Sequence, residues 1–123
     1  MNQYDDVPEF DEAATISRVD GDRELLLELF SLFFSDSEQQ LSAIEGAYAT
    51  NDLRKVEARA HAMKSALGNI GAARAAKIAA TIENIARNDS TEGLQQAVGA
   101  LRPAVNSFHR ISSEWGKGTS GSC

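Results

Sequence analysis

Apolar positions recur along this chain at alternating steps of three and four residues. Leu53, Val56, Ala60, Met63, Leu67 and Ile70 keep that spacing, which puts them on one buried stripe of an α-helix over about residues 52–69. Leu26, Phe30, Phe33, Leu41, Ile44 and Tyr48 form a second stripe and predict one long helix over about residues 23–48. The polar run Ser35 to Gln40 offers a boundary near Asp36 as the competing reading. Ala75, Ile78, Ile82 and Ile85 mark a helix over 72–87, and Leu94, Val98, Leu101, Val105 and Phe108 mark the last one. Pro103 falls inside that last stripe and predicts a kink or split near residue 102. Ahead of these, residues 11–19 read as a short amphipathic helix with Ala14, Ile16 and Val19 facing inward.

Punctuation between the stripes agrees. Asp22 and the run Thr50-Asn51-Asp52 supply N-capping oxygens, Gly71 supplies the left-handed residue that ends a helix, and Asp89 to Glu92 has capping-box spacing. No strand-like alternation and no internal repeat occurs. Four long helices with short connections predict an all-α, antiparallel up-down-up-down four-helix bundle, with the short extra N-terminal helix packed across one end or side. Residues 1–10 read as a flexible lead-in, 11–112 as the bundle and 113–123 as a flexible tail. Eight of the ten positions from Leu25 to Phe34 are Leu or Phe, more than one stripe needs. The segment is therefore expected to be covered on more than one side, with the short first helix as a lid and with Phe34 or Leu27 as a docking patch if exposed.

Composition narrows the function classes. In 123 residues there is room for one domain. A net charge of −6, with no dense cluster of Lys and Arg, argues against nucleic-acid binding. The acidic surplus suits steering toward a basic rim on a partner. No apolar run approaches a membrane span and the N-terminus is acidic, so a cytoplasmic, membrane-free protein is expected, and a bundle with no obvious extra hydrophobic seam is expected to be a monomer. The lone Cys123 provides neither a disulfide framework nor a metal cluster.

His61 is the residue with chemistry. It sits roughly 130° from the centre of its helix's buried stripe, on a flank that reaches solvent. One turn either way on that flank lie Glu57, Ala58, Lys64, Ser65 and Gly68, so the ring stands above a low surface with one positive charge beside it. If the helices flanking Gly71 form a tight hairpin, a residue x on one lies level with about residue 144 − x on the other, which sets Glu83 opposite His61. Glu83 would then accept the Nδ1 proton and leave Nε2 bare.

His61, Lys64, the small Ser65 and the ending Asn69-Ile70-Gly71-Ala72 resemble the histidine-containing phosphotransfer (HPt) domain of bacterial-type two-component phosphorelays, over about residues 15–112. Ser65 stands where the family often has glycine. The resemblance implies reversible phosphoryl transfer, with His61 as phosphoacceptor, Lys64 stabilising the phosphate and Glu83 orienting the ring. Glu57, Ala58, Ala62, Ser65, Gly68 and Asn69 would meet the partner, and Gly71 is structural. It further implies response-regulator receiver domains and a hybrid histidine kinase as partners, with any Mg²⁺ on the receiver and no cofactor or metal here. The chain shows no phosphate-binding Gly-rich loop and no Rossmann fingerprint, so it is read as a phosphocarrier and not as an enzyme with its own nucleotide site. Two rivals remain. One is a metal-binding bundle using Glu57 and His61, and the other is an adaptor that binds a receiver or kinase without carrying phosphate. His109 has no comparable setting and reads as structural or surface.

Overall fold

The computed structural model describes residues 3–120, with side chains through Lys117. Five helices follow in order: α1 (Glu12–Arg18), α2 (Arg23–Ala49), α3 (Leu53–Asn69), α4 (Ala73–Arg87) and α5 (Leu94–Ser120). Three of them start where an aspartate side chain accepts a first-turn N–H: Asp11 from Ala14, Asp22 from Leu25 and Asp52 from Lys55. α2 runs unbroken through Asp36, so the competing boundary there is not used. Helices α2 to α5 form the bundle, and among the described residues no strand occurs.

The core is built from the stripes with three local shifts. Val56, Ala60, Met63, Leu67 and Ile70 of the α3 stripe are buried and Leu53 at its start is half-buried, and all five residues named for the last helix are buried as well. On α4 the inward line is Ala75, Ile78, Ala79, Ile82, Glu83 and Ala86, while Ile85 is half-buried beside the α4–α5 connection. The alanines of this line carry too little hydrocarbon to stand out in a periodicity scan, yet they let α3 and α4 approach closely. On α1 the buried residue is Thr15; Ala14 is exposed, and Ile16 and Val19 are half-buried. On α2, Ala47 is buried where Tyr48 is only half-buried. Leu27 and Phe34 are also half-buried, and the large hydrophobes left most open in the Leu/Phe segment are Leu32 and Leu25.

Other expectations are modified for physical reasons. Of the kink or split expected near residue 102, the split does not occur, and α5 is one helix through Pro103. Pro103 and Gly99, whose carbonyl the ring deprives of a donor, both face solvent, so water can take the freed oxygen. The capping box at Asp89 to Glu92 is not formed: Asp89 takes φ 54° just after the α4 cap, Ser90 Oγ accepts from Glu92 N–H, and α5 begins only at Leu94.

The ends of the chain carry more structure than their composition suggests. Tyr4 is buried, the Arg74 backbone N–H and Nε–H donate to the carbonyls of Pro8 and Val7, and Ser107 Oγ–H donates to Glu9. Phe10 sits edge-to-face with Phe30, Phe108 and Trp115 at centroid distances of 5.9, 5.5 and 6.3 Å. α5 likewise continues past residue 113, where Trp115 donates its Nε1–H to Glu12 at 2.9 Å and lies under the Arg23 guanidinium. Cys123 lies outside the described residues.

α1 caps the end of the bundle where α3 turns into α4. Asp11 N–H donates to the Gly71 carbonyl at 2.9 Å, and Arg18 Nη1 donates to the Gly68 carbonyl, also at 2.9 Å. Gly71 has φ 81°, and a Cβ there would collide with Thr15 Oγ1 and Cβ and with the Phe10 ring. Only glycine satisfies both the turn and the close crossing of α1.

Candidate functional site

The connection Ile70-Gly71-Ala72 is three residues long and fully packed, with Ala72 wholly buried. That tight hairpin holds the register which brings Glu83 beside His61. His61 Nδ1 and Glu83 Oε2 are 2.7 Å apart. The His61 side chain is 59% exposed and that of Glu83 only 4%, so the ring stands in water on top of a covered carboxylate.

Glu83 has three cationic or potentially cationic neighbours. Lys64 Nζ lies 2.7 Å from Oε1, and Arg87 Nη2 donates to Oε2 at 2.6 Å. Arg87 also donates through Nε to Glu57 Oε2 at 3.2 Å, tying α4 back to α3. A covered carboxylate is costly unless it is paired, and here every neighbour favours its charged form. The Lys64 ammonium, ahead of His61, holds the Glu83 carboxyl below the usual carboxylate range, although partial burial opposes it. An ionised carboxylate can only accept hydrogen bonds, so Nδ1 of His61 carries the proton and the neutral ring keeps its lone pair on the outward Nε2.

The other residues singled out from sequence surround this centre. Ala58, Ala62, Ser65 and Asn69 are exposed on α3, and Gly68 is half-buried with open space where a Cβ would stand. Gly68 is therefore not demanded by packing within the chain. Glu57 is half-buried and engaged by Arg87. The metal-bundle reading required Glu57 and His61 to share an ion; among the described residues no three His, Cys, Asp or Glu side chains are grouped to hold one. His109 is exposed and stacks on Phe34 at 4.0 Å, away from this cluster. Arg87 was missed in the sequence, although two signals point to it. It lies four residues after Glu83 on one helix, and the hairpin relation that pairs 61 with 83 also pairs 57 with 87. Arg54 is a second omission: with Glu57, Ala58, Glu83 and Arg87 it borders the shallow depression beside His61.

Comparison with known proteins decides the family. The family model for the Hpt domain matches residues 28–110, most of the chain and all of the His61 cluster. The chain belongs to the Hpt domain family. Hpt domains are phosphocarriers of histidine phosphotransfer, not enzymes with nucleotide sites, and this coarse function comes with membership. No curated protein matches the chain. Among solved structures it is similar to histidine-containing phosphotransfer protein B (HptB) from Pseudomonas aeruginosa PAO1, with a TM-score of 0.79 and 20% identity over 87% of this chain and 93% of that one. At that identity the likeness establishes the Hpt fold. Among the described residues no helix is long and apolar enough to cross a membrane.

Proposed function

We propose that this Hpt domain shuttles a phosphoryl group between aspartates of receiver domains, as a cytoplasmic monomer, with His61 as the acceptor. The observation that carries the reading is the exposed imidazole fixed through Nδ1 on the covered Glu83 carboxylate. The bare Nε2 attacks the phosphorus of a receiver's aspartyl phosphate; the P–N bond forms as the P–O bond breaks, and the aspartate leaves as a carboxylate. No proton has to leave Nε2. The ring becomes a phosphoimidazolium, whose positive charge Glu83 offsets through the Nδ1–H bond, and the reverse reaction hands the group to a second receiver. Lys64 spends one of its three N–H donors on Glu83, and the others are free to turn toward the phosphoryl oxygens. Arg87 acts at one remove, as a positioning residue that holds Glu83 against the ring. Positioning and charge stabilisation are most of what such a transfer requires.

The test is to incubate the protein with a panel of receiver domains, acetyl phosphate and Mg²⁺ and to follow label onto this chain. The expected product is an acid-labile, base-stable adduct on His61. His61→Gln is expected to abolish it while the helical CD spectrum is retained. Signalling that survives His61→Gln would instead establish the phosphate-free adaptor.

A further inference from the structure

The chain's charge is far less even than its total suggests. Between Leu53 and Arg87 there are seven Lys and Arg against two carboxylates, a net +5, so the rest of the −6 chain carries −11. The expectation of an acidic carrier drawn to a basic rim is thus reversed at the hairpin that bears His61. Within α3 the cations also sit at the wrong end for the helix itself. Arg54 and Lys55 lie in its first turn, where the macrodipole disfavours positive charge, and its last turn has no basic residue. Arg54, Lys55 and Arg59 are exposed, and none of them makes an ion pair with the described residues. Neither helix stability nor pairing within the chain accounts for them.

Their placement shows what they share. Taking about 100° per residue, Arg54 lies on the same face as His61 two turns earlier, and Lys55 and Arg59 lie roughly 120° and 160° round toward α2. Exposed Ala58 and Ala62 stand between His61 and these cations, and with them they border one shallow depression in which three cations face the single carboxylate of Asp52, the N-cap of α3. The result is a low floor with a mainly basic rim, extending from the phosphoacceptor toward α2 through Lys55 and Arg59, while Arg54 also borders the depression on the Glu83 side.

Resting on the reading of His61 as phosphoacceptor, we infer that the receiver docks over this N-terminal half of α3 with an acidic rim around its phosphorylated aspartate, and that Arg54, Lys55 and Arg59 steer and register the encounter. Charge complementarity commits the face to this occupant: the incoming group is itself a phosphorylated carboxylate, and the rest of the protein repels such a surface. Rim charges of this kind act on the association rate more than on dissociation.

The experiment uses whichever receiver exchanges label with His61 in the panel above, and measures association and dissociation rates by stopped flow. Raising salt from roughly 0.01 M to roughly 0.1 M shortens the screening length from about 30 Å to about 10 Å. For the wild type this is expected to slow association about tenfold or more. The triple variant Arg54→Glu/Lys55→Glu/Arg59→Glu should associate at least about tenfold more slowly at low salt, with dissociation changed by less than about threefold and the salt dependence flattened or inverted. Arg54→Gln/Lys55→Gln/Arg59→Gln should fall between, and the wild-type salt series stands independently of how either variant folds. Wild-type association that is insensitive to salt, or a triple Glu variant that associates as fast as wild type, overturns the docking face. Absence of label on His61 with every receiver overturns the phosphocarrier reading instead.

Discussion

The α3–α4 hairpin and the α2–α5 pair solve the same packing problem with opposite materials. Where α4 meets α3 the buried residues of α4 are largely alanine and isoleucine, set against Val56, Ala60, Met63 and Leu67 of α3, the helices are drawn close, and a single carboxylate is enclosed at the edge of the contact. Where α2 meets α5 the contact is filled by rings: Phe30 lies 5.7 Å from Phe108 and 5.8 Å from Trp115, in edge-to-face geometry. Even their ionic contacts differ. Arg102 of α5 is held by Glu45 and Glu38 of α2 at 2.6–3.0 Å, with Arg102 and Glu45 half-buried and Glu38 exposed, whereas Glu83 is shielded beneath the groups it binds. The difference teaches that this bundle keeps its bulk on one side and its chemistry on the other. Small side chains hold a backbone register finely enough to set one imidazole on one carboxylate, and aromatic area supplies the stability that small side chains cannot.

If that division holds, the largest loss of stability should come from the ring side. Phe108→Ala is expected to cost about 3–5 kcal/mol in chemical denaturation, with the phosphotransfer rate per folded molecule unchanged. Gly71→Ala should follow, at about 2–4 kcal/mol, because a Cβ there meets Thr15 and Phe10 in a left-handed turn. Unlike Phe108→Ala, it should also slow transfer, since the hairpin register passes through that residue.

Glu83→Ala should do the reverse, costing only about 1–2 kcal/mol of stability but slowing transfer about tenfold to a hundredfold. ¹⁵N NMR of the His61 ring should show the proton no longer confined to Nδ1; an unchanged tautomer would remove the proposed pairing. The same carboxylate gives a pH signature. Its folded-state pKa lies below the unfolded value, so its contribution is present above the ordinary carboxylate range and is lost as pH falls through the depressed folded value. Denaturation curves of wild type and Glu83→Ala should therefore converge on acidification. The smallest effect on the fold is expected from Lys64→Ala, with transfer slowed about tenfold and stability changed by less than about 1 kcal/mol.

The hairpin was legible in the sequence because its determinants are local. A stripe on each side and one glycine between them fix the register, and the pairing of 61 with 83 follows by arithmetic. Lys64 was legible as a neighbour of His61, but its contact with Glu83 was not, because side-chain reach across helices is not contained in spacing. The aromatic side was harder to read. Tyr4 and Phe10 belong to no periodic pattern, and Ser113 to Lys117 has the composition of a linker, yet Phe10 and Trp115 both enter the ring cluster. Long-range packing ordered those segments against their local propensity. On α4 the expected positions Ala75, Ile78 and Ile82 are buried, and only the last was misplaced by one residue, for the converse reason: Ile85 is conspicuous, and Ala86 beside it is not.

The placement of Trp115 also has a practical consequence. It is the chain's single tryptophan, and it packs with Phe10, Phe30, Arg23 and Glu12, which lie outside the His61 cluster. Intrinsic emission from this indole is thus a built-in optical gauge of the far side of the bundle. It should stay steady under the phosphorylation proposed for His61, and change when the helices themselves come apart.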